Sequence, residues 1–145
     1  MKVNPHKLVR LEDSVGSYSG LLTLKTSKKK EMLSILNADL ADWMKNNLFL
    51  EFKTKLLDIA IIMHLDDLRM RIQDIDNIAK NILDALKNTK DANSYLFEDD
   101  SQVIRLLIEK RKKIDIGSCE TNTYTISFRE HNSKKQMLLM ETYEI

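Results

Sequence analysis

Residues 55–65 read Lys-Leu-Leu-Asp-Ile-Ala-Ile-Ile-Met-His-Leu, and the reading of this run decides the fold. Leu57, Ile59, Ala60, Ile61, Ile62 and Met63 follow one another too continuously for a helix with one wet face. Charges flank the run, which predicts a strand buried on both faces. Upstream, between Lys28 and Asn47, Met32, Ile35, Leu36, Leu40, Trp43 and Met44 recur at spacings of three and four, the stripe of an amphipathic helix that Ser27 could cap. Downstream, Ile78, Ala79, Ile82, Leu83 and Leu86 return to helical spacing over Asn77 to Lys87, and Asn88 with Thr89 ends this second helix. Alternation then marks two strands, Val103 to Lys112 and Thr123 to Phe128, joined through a turn around Asp115 to Asn122. Met137 to Met140, followed by Thr142 and Tyr143, reads as an edge strand. Helices that alternate with strands and then give way to consecutive strands predict the α/β (α+β) class: a mixed β-sheet with two main helices packed on it.

Composition agrees with a single domain over residues 1–145, since 145 residues of which 43% are hydrophobic can bury one sizeable core. The 23 Lys+Arg nearly cancel the 22 Asp+Glu, leaving a net charge of +1, so any nucleic-acid surface must be local. Three Gly and one Pro exclude a collagenous or Pro/Gly-rich disordered chain, and no apolar run approaches the roughly 18 to 20 residues that cross a bilayer. Lys7, Arg10, Glu12 and Asp13 interrupt the N-terminal stretch where a secretory signal needs apolar residues, so a cytoplasmic protein is expected. The lone Cys119 permits no intrachain disulfide and no Cys-based zinc cluster, and it is given no role.

The chemically informative stretch is Gln73-Asp74-Ile75-Asp76-Asn77-Ile78-Ala79-Lys80, where an extended segment should hand over to the second helix. In extended backbone, residues two apart share a face, so Asp74 and Asp76 are expected to present two carboxylates together with Ile75 turned inward. Such a pair repels itself unless a cation, a basic side chain or protonation compensates. Magnesium does this well, because it takes a few carboxylates and keeps several waters. Lys80, one turn after Asp76, could lean over the same site and meet a phosphate. A second acidic group, Glu98-Asp99-Asp100, precedes the next strand. A simpler reading stands beside this one: Asp76 or Asn77 as a helix N-cap, Asp74 as a favourable charge near the helix start, and Glu98 to Asp100 as an ordinary acidic turn.

The longer string tips the balance. Asp74-Ile75-Asp76-Asn77, Lys80, then Asp84-Ala85-Leu86, then Asp99-Asp100-Ser101-Gln102-Val103 resembles, in order and spacing, the signature of the RusA family of Holliday junction resolvases. That resemblance implies a small α/β, magnesium-dependent endodeoxyribonuclease, active as a homodimer on four-way DNA junctions. It further implies that Asp74, Asp76 and Asp100 form the metal-binding triad, that Lys80 is the catalytic lysine, and that Asp99 is a secondary candidate. The three aspartates are then expected to converge on one Mg2+ from two segments of the chain.

DNA must be drawn to this acidic site by basic residues, for which Lys110, Arg111, Lys112 and Lys113 are the densest run and Lys28 to Lys30 the second. Alternation divides the run, with Lys110 and Lys112 on one face and Arg111 and Lys113 on the other. The same run could instead protect a sheet edge from aggregation. His64 reads as a hydrogen-bonded strand-end residue or a supporting group near the metal, while His6 and His131 read as surface positions. Trp43, Met44, Leu48, Phe49 and Leu50 are candidates either for the monomer core or for a dimer contact. Gly16, Gly20 and Gly117 are too scattered to cradle a nucleotide. Two alternatives to the resolvase remain: a non-catalytic junction-binding protein of the same fold, and a metal-dependent nuclease acting on flaps or other branched DNA.

Overall fold

A strand covered on both faces needs two layers to cover it, and the fold is built around that requirement. The computed structural model describes residues 6–21, 29–47, 49–87, 95–112 and 122–144. In chain order the elements are β1 (His6–Leu11), β2 (Gly16–Leu21), α1 (Lys29–Asn47), β3 (Leu57–Leu65), α2 (Asp67–Ile72), α3 (Ile75–Leu86), β4 (Val103–Lys112), β5 (Thr123–Glu130) and β6 (Leu139–Glu144). All nine residues of β3 are buried. It lies between β4, which runs parallel to it, and β5, which runs antiparallel, in a sheet of order β2-β5-β3-β4. The result is a mixed sheet with helices on it, the class expected from the sequence.

One face of β3 presents Leu57, Ile59, Ile61, Met63 and Leu65 to Leu36, Leu40, Trp43 and Met44 of α1 and to Ile78, Ile82, Ala85 and Leu86 of α3. Each fully buried Leu or Ile here contributes about 1.5–3 kcal/mol relative to exposure. The other face carries Asp58, Ala60, Ile62 and His64. A two-stranded antiparallel ribbon of β1 and β6 packs there through Val9 and Leu11, both fully buried, and the Leu11 N–H donates to Ser127 Oγ of β5 at 2.8 Å.

The two strands expected at Val103 to Lys112 and Thr123 to Phe128 are present, the second reaching Glu130, and β3 lies between them in the sheet. Several expectations change. Trp43 and Met44 are 8% and 4% exposed, and Trp43 stacks within 5.2 Å of Phe49 and 6.0 Å of Phe128. These residues complete the monomer core rather than a dimer contact. His131 is not a free surface residue, since its Nδ1 lies 2.8 Å from Asp58 Oδ1. The Asp67–Ile72 helix and the strands β1 and β2 were not expected from the sequence, and their physical reasons differ. Asp66 caps α2 by accepting the Arg69 N–H at 2.8 Å. In β2, Gly16 and Gly20 stand opposite Phe128 and Tyr124, where a Cβ would lie 2.7 Å and 2.6 Å from the aromatic side chains. Expectations that fall on Ser27, Lys28, Leu48, Asn88, Thr89, Lys113, residues 115–121 of the turn, Gly117 and Cys119 lie outside the described residues. No described helix is long and apolar enough to cross a membrane.

Candidate active site

The chain leaves β3, makes the short α2, and enters α3 through Gln73 and Asp74. Asp74 is the N-cap of α3, with extended backbone at φ −74° and ψ 122°. Asp76 is already helical, in the first turn. The two carboxylates therefore do not share the face of an extended segment as expected. Both nonetheless stand exposed at one helix N-terminus, where the backbone N–H groups favour negative charge. Ile75 packs against the core, as its position in the motif requires.

The simpler reading set the N-cap at Asp76 or Asn77, but both lie inside α3; the N-cap is Asp74, whose side chain makes no capping hydrogen bond. Its one recorded contact is Asn77 Nδ2 donating to Asp74 Oδ2 at 3.3 Å. By contrast, Asp66 spends its carboxylate on the cap of α2. Asp76 and Lys80 make no hydrogen bond or ion pair recorded among the described residues, and Lys80 is exposed one turn beyond Asp76. Farther along the same helix, Ala85 and Leu86 of the Asp-Ala-Leu triplet belong to the core. The motif thus combines packing positions with uncommitted charges.

Asp100 lies elsewhere. It opens the 3-10 turn Asp100–Gln102 that feeds β4, and it pairs with Lys87 at the C-terminal end of α3, Nζ to Oδ2 3.3 Å. The twelve residues of α3 span about 18 Å. Gln73 is held by Lys110, and the seven steps of strand from Val103 to Lys110 cover roughly 23 Å. The expected convergence of Asp74, Asp76 and Asp100 therefore does not occur within one chain, because the parallel β3–α3–β4 crossover sets them at opposite ends of the helix. Accordingly, no group of three His, Cys, Asp or Glu placed to hold a metal exists among the described residues. The donor set of one chain at the α3 N-terminus is two carboxylates, which suits a hard cation that keeps much of its water.

Asp99, the secondary candidate, accepts from Ser101 Oγ at 2.8 Å. That hydroxyl bond, aided by nearby backbone N–H groups and Lys87, holds its carboxyl below the ordinary range. Gln102 ties the turn down. Its Oε1 accepts the N–H groups of Glu98 and Asp99 at 2.8 and 3.0 Å, and its Nε2 donates to the carbonyls of Lys53 and Lys55.

The basic run is largely occupied within the fold. Lys110 Nζ donates to the carbonyls of Met70 and Gln73 at 2.9 and 2.8 Å. Arg111 pairs with Glu141 of β6 and with Glu109. Burial works against its charge, but hydrogen bonds to Glu141 and Glu109 more than offset this and raise its pKa. Lys112 is exposed and lies 3.3 Å from Asp67. Lys110 and Lys112 both reach α2 while Arg111 turns to Glu141 of β6, as alternation predicts for these three residues. His64 is buried at the end of β3. Sequence reasoning missed Arg69 and Lys87, whose roles come from contacts with Gln73 and Asp100 that no local pattern announces. An open cleft of about 570 Å³, lined by Asp13, Arg129, His131 and Lys135 among others, lies at the opposite end of β3 and includes none of the expected site residues.

The chain is thus a small mixed-sheet α+β protein with Asp74 and Asp76 exposed at the N-terminus of α3 and Lys80 exposed one turn further on. A family model described as Endodeoxyribonuclease RusA matches residues 14–118, which includes β2 through β4 and every acidic residue of the motif. The chain belongs to this endodeoxyribonuclease family, the one its motif resembles. Comparison with curated proteins finds no match.

Proposed function

We propose that the protein is a magnesium-dependent endonuclease that resolves four-way junctions by paired phosphodiester hydrolysis during DNA recombination and repair in the cytoplasm, acting as a homodimer. The observation that carries this reading is the pair of carboxylates at the α3 N-terminus, which neither cap the helix nor pair with a basic residue recorded among the described residues. Two like charges this close at one helix start repel each other, and a divalent cation removes that cost.

Asp74 and Asp76 would hold the cation from one protomer. Because Asp100 sits a helix length away in the same chain, the third carboxylate is proposed to be Asp100 of the partner subunit. A twofold axis that sets two α3–β4 edges antiparallel brings the start of one α3 beside the end of the other. β4 is suited to that contact. Among the described residues it pairs with β3 alone, and Ile104 and Leu106 on it, like Leu68 and Ile72 on α2, are exposed apolar side chains. Bound Mg2+ supplies charge neutralisation at the phosphoryl oxygens and orientation of the attacking water. Lys80 would donate to a phosphoryl or departing oxygen as the water oxygen bonds to phosphorus, the water gives up its proton to solvent, and the ester P–O bond breaks with the departing oxygen taking a proton. Lys112, with Lys113 beyond it, and Lys28 to Lys30 are the proposed attraction for the DNA backbone; Lys110 and Arg111 contribute mainly through the contacts they already make.

The experiment is cleavage of a mobile four-way junction beside a flap and a linear duplex, with Mg2+ and with EDTA. Paired symmetric nicks in the junction, lost in EDTA, are expected. Preferential flap cutting contradicts the junction reading, and junction binding without cutting in Mg2+ contradicts catalysis.

A further inference from the structure

We propose that Lys110 is a positioning residue for the acidic site, fixing the backbone from which Asp74 projects; the inference rests on the metal-site reading above. Its ammonium bridges the carbonyls of Met70 and Gln73 at 2.9 and 2.8 Å. These belong to the end of α2, where carbonyls have no partner within the helix and must find a donor elsewhere. Gln73, 2% exposed, is held at two further points. Its N–H donates to Arg69 O at 2.9 Å, and its Oε1 accepts from the Arg69 guanidinium at 2.9 Å.

Asp74 is the next residue. Its backbone therefore leaves a clamped peptide while its carboxylate stays uncommitted apart from Asn77. That division of labour is what a small hard cation needs, since Mg2+ tolerates little departure from octahedral geometry. A site loosened by about 1 Å loses function although every ligand is present. Without the clamp, repulsion between Asp74 and Asp76 would drive the α2–α3 corner open. Lys110 comes from β4, so the clamp ties the corner to the sheet rather than to another loop. Two of its three donors are used on the carbonyls, which leaves it poorly placed to serve as a phosphate contact.

Full-chain Lys110→Met and Lys110→Gln variants separate the roles through three readouts: the Mn2+ dissociation constant without DNA, junction affinity in EDTA across a salt series, and thermal midpoint. Lys110→Met is expected to weaken Mn2+ binding about 10- to 100-fold, as loss of a supporting group does, with junction affinity in EDTA unchanged within about twofold. Lys110→Gln keeps two N–H donors without the charge, and is expected to recover part of the Mn2+ affinity. A salt slope reduced by about one in both variants with Mn2+ binding intact overturns the proposal in favour of a phosphate contact. Mn2+ affinity that falls only in step with the thermal midpoint, with no recovery in Lys110→Gln, overturns it in favour of a purely structural role. Should Lys110→Met not fold, Lys110→Gln must still bind Mn2+ more weakly than wild type at an unchanged salt slope, and failure to do so overturns the proposal. Asp74→Asn is the control: Mn2+ binding weakened by it but not by either Lys110 variant overturns the Lys110 role alone, whereas binding untouched by Asp74→Asn overturns the metal site and the clamp together.

Discussion

Asp74 is a helix N-cap whose carboxylate does not cap, and this separates its structural from its chemical contribution. Asn is as good an N-cap as Asp, so Asp74→Asn should change unfolding free energy by no more than about 0.5 kcal/mol, read by denaturant titration. Cleavage of junction DNA should fall further than the ~10- to 100-fold typical of a lost supporting group. Tyr124 makes a complementary prediction. It is fully buried, its hydroxyl has no hydrogen-bond partner among the described residues, and burial pushes its pKa well above the ordinary tyrosine value, with Tyr18 and Asp39 adding to the rise. A raised pKa for a group buried in its neutral form contributes stability that is intact below the unfolded value near 10 and is lost as pH climbs beyond it. Tyr124→Phe should therefore leave stability at pH 7 equal or higher by about 1 kcal/mol, and flatten the alkaline decline in thermal midpoint above pH 10. Residue placement was legible in the sequence where spacing is local, as in Ile75 turned to the core and Lys80 exposed one turn beyond Asp76. It was illegible where partners lie far apart: Asp58 meets Arg129 across 71 residues and His131 across 73.

Among the elements, β3 depends on such a distant partnership. Asp58, fully buried, accepts from Arg129 Nε at 3.1 Å and lies 2.8 Å from His131 Nδ1. Arg129 also donates to the carbonyls of Glu12 and Gln136 at 3.0 and 2.9 Å. One guanidinium thus joins β3, β5, the end of β1 and the approach to β6. Asp58→Ala leaves that charge buried without its counter-ion and should cost about 3–5 kcal/mol in urea unfolding. Gly20→Ala, which drives a Cβ against Tyr124 at 2.6 Å, should cost about 1–3 kcal/mol by the same measure. The periodic elements α1, α3, β4 and β5, and β3 with its continuous apolar run, could be read from the chain because burial imposes those patterns locally. β2 could not, since Gly-Ser-Tyr-Ser-Gly-Leu has poor strand propensity and is held there by rings it receives from β5. The short α2 escaped for a related reason: six residues carry too little pattern.

For the whole molecule, the consequence of the β3–α3–β4 crossover is that one chain carries Asp74 and Asp76 at one end of α3 and Asp100 at the other. The order of the motif was readable in the sequence, but the separation of its parts was not, because nothing local tells whether residues 26 apart meet or oppose each other. The proposed site shared between protomers would make dimerisation a condition of cation binding, and would give two cutting centres related by the symmetry of a four-way junction. The most direct measurement mixes two inactive variants, Asp74→Asn and Asp100→Asn, allows subunits to exchange, and assays junction cleavage in Mg2+. In a shared arrangement the heterodimer combines both substitutions in one centre and leaves the other wholly wild-type, so single nicks should reappear, at up to about half of the dimers in an equal mixture. Each variant alone should stay inactive. If both variants are folded and exchange subunits but the mixture remains as inactive as its parts, Asp74, Asp76 and Asp100 do not form one site across the dimer.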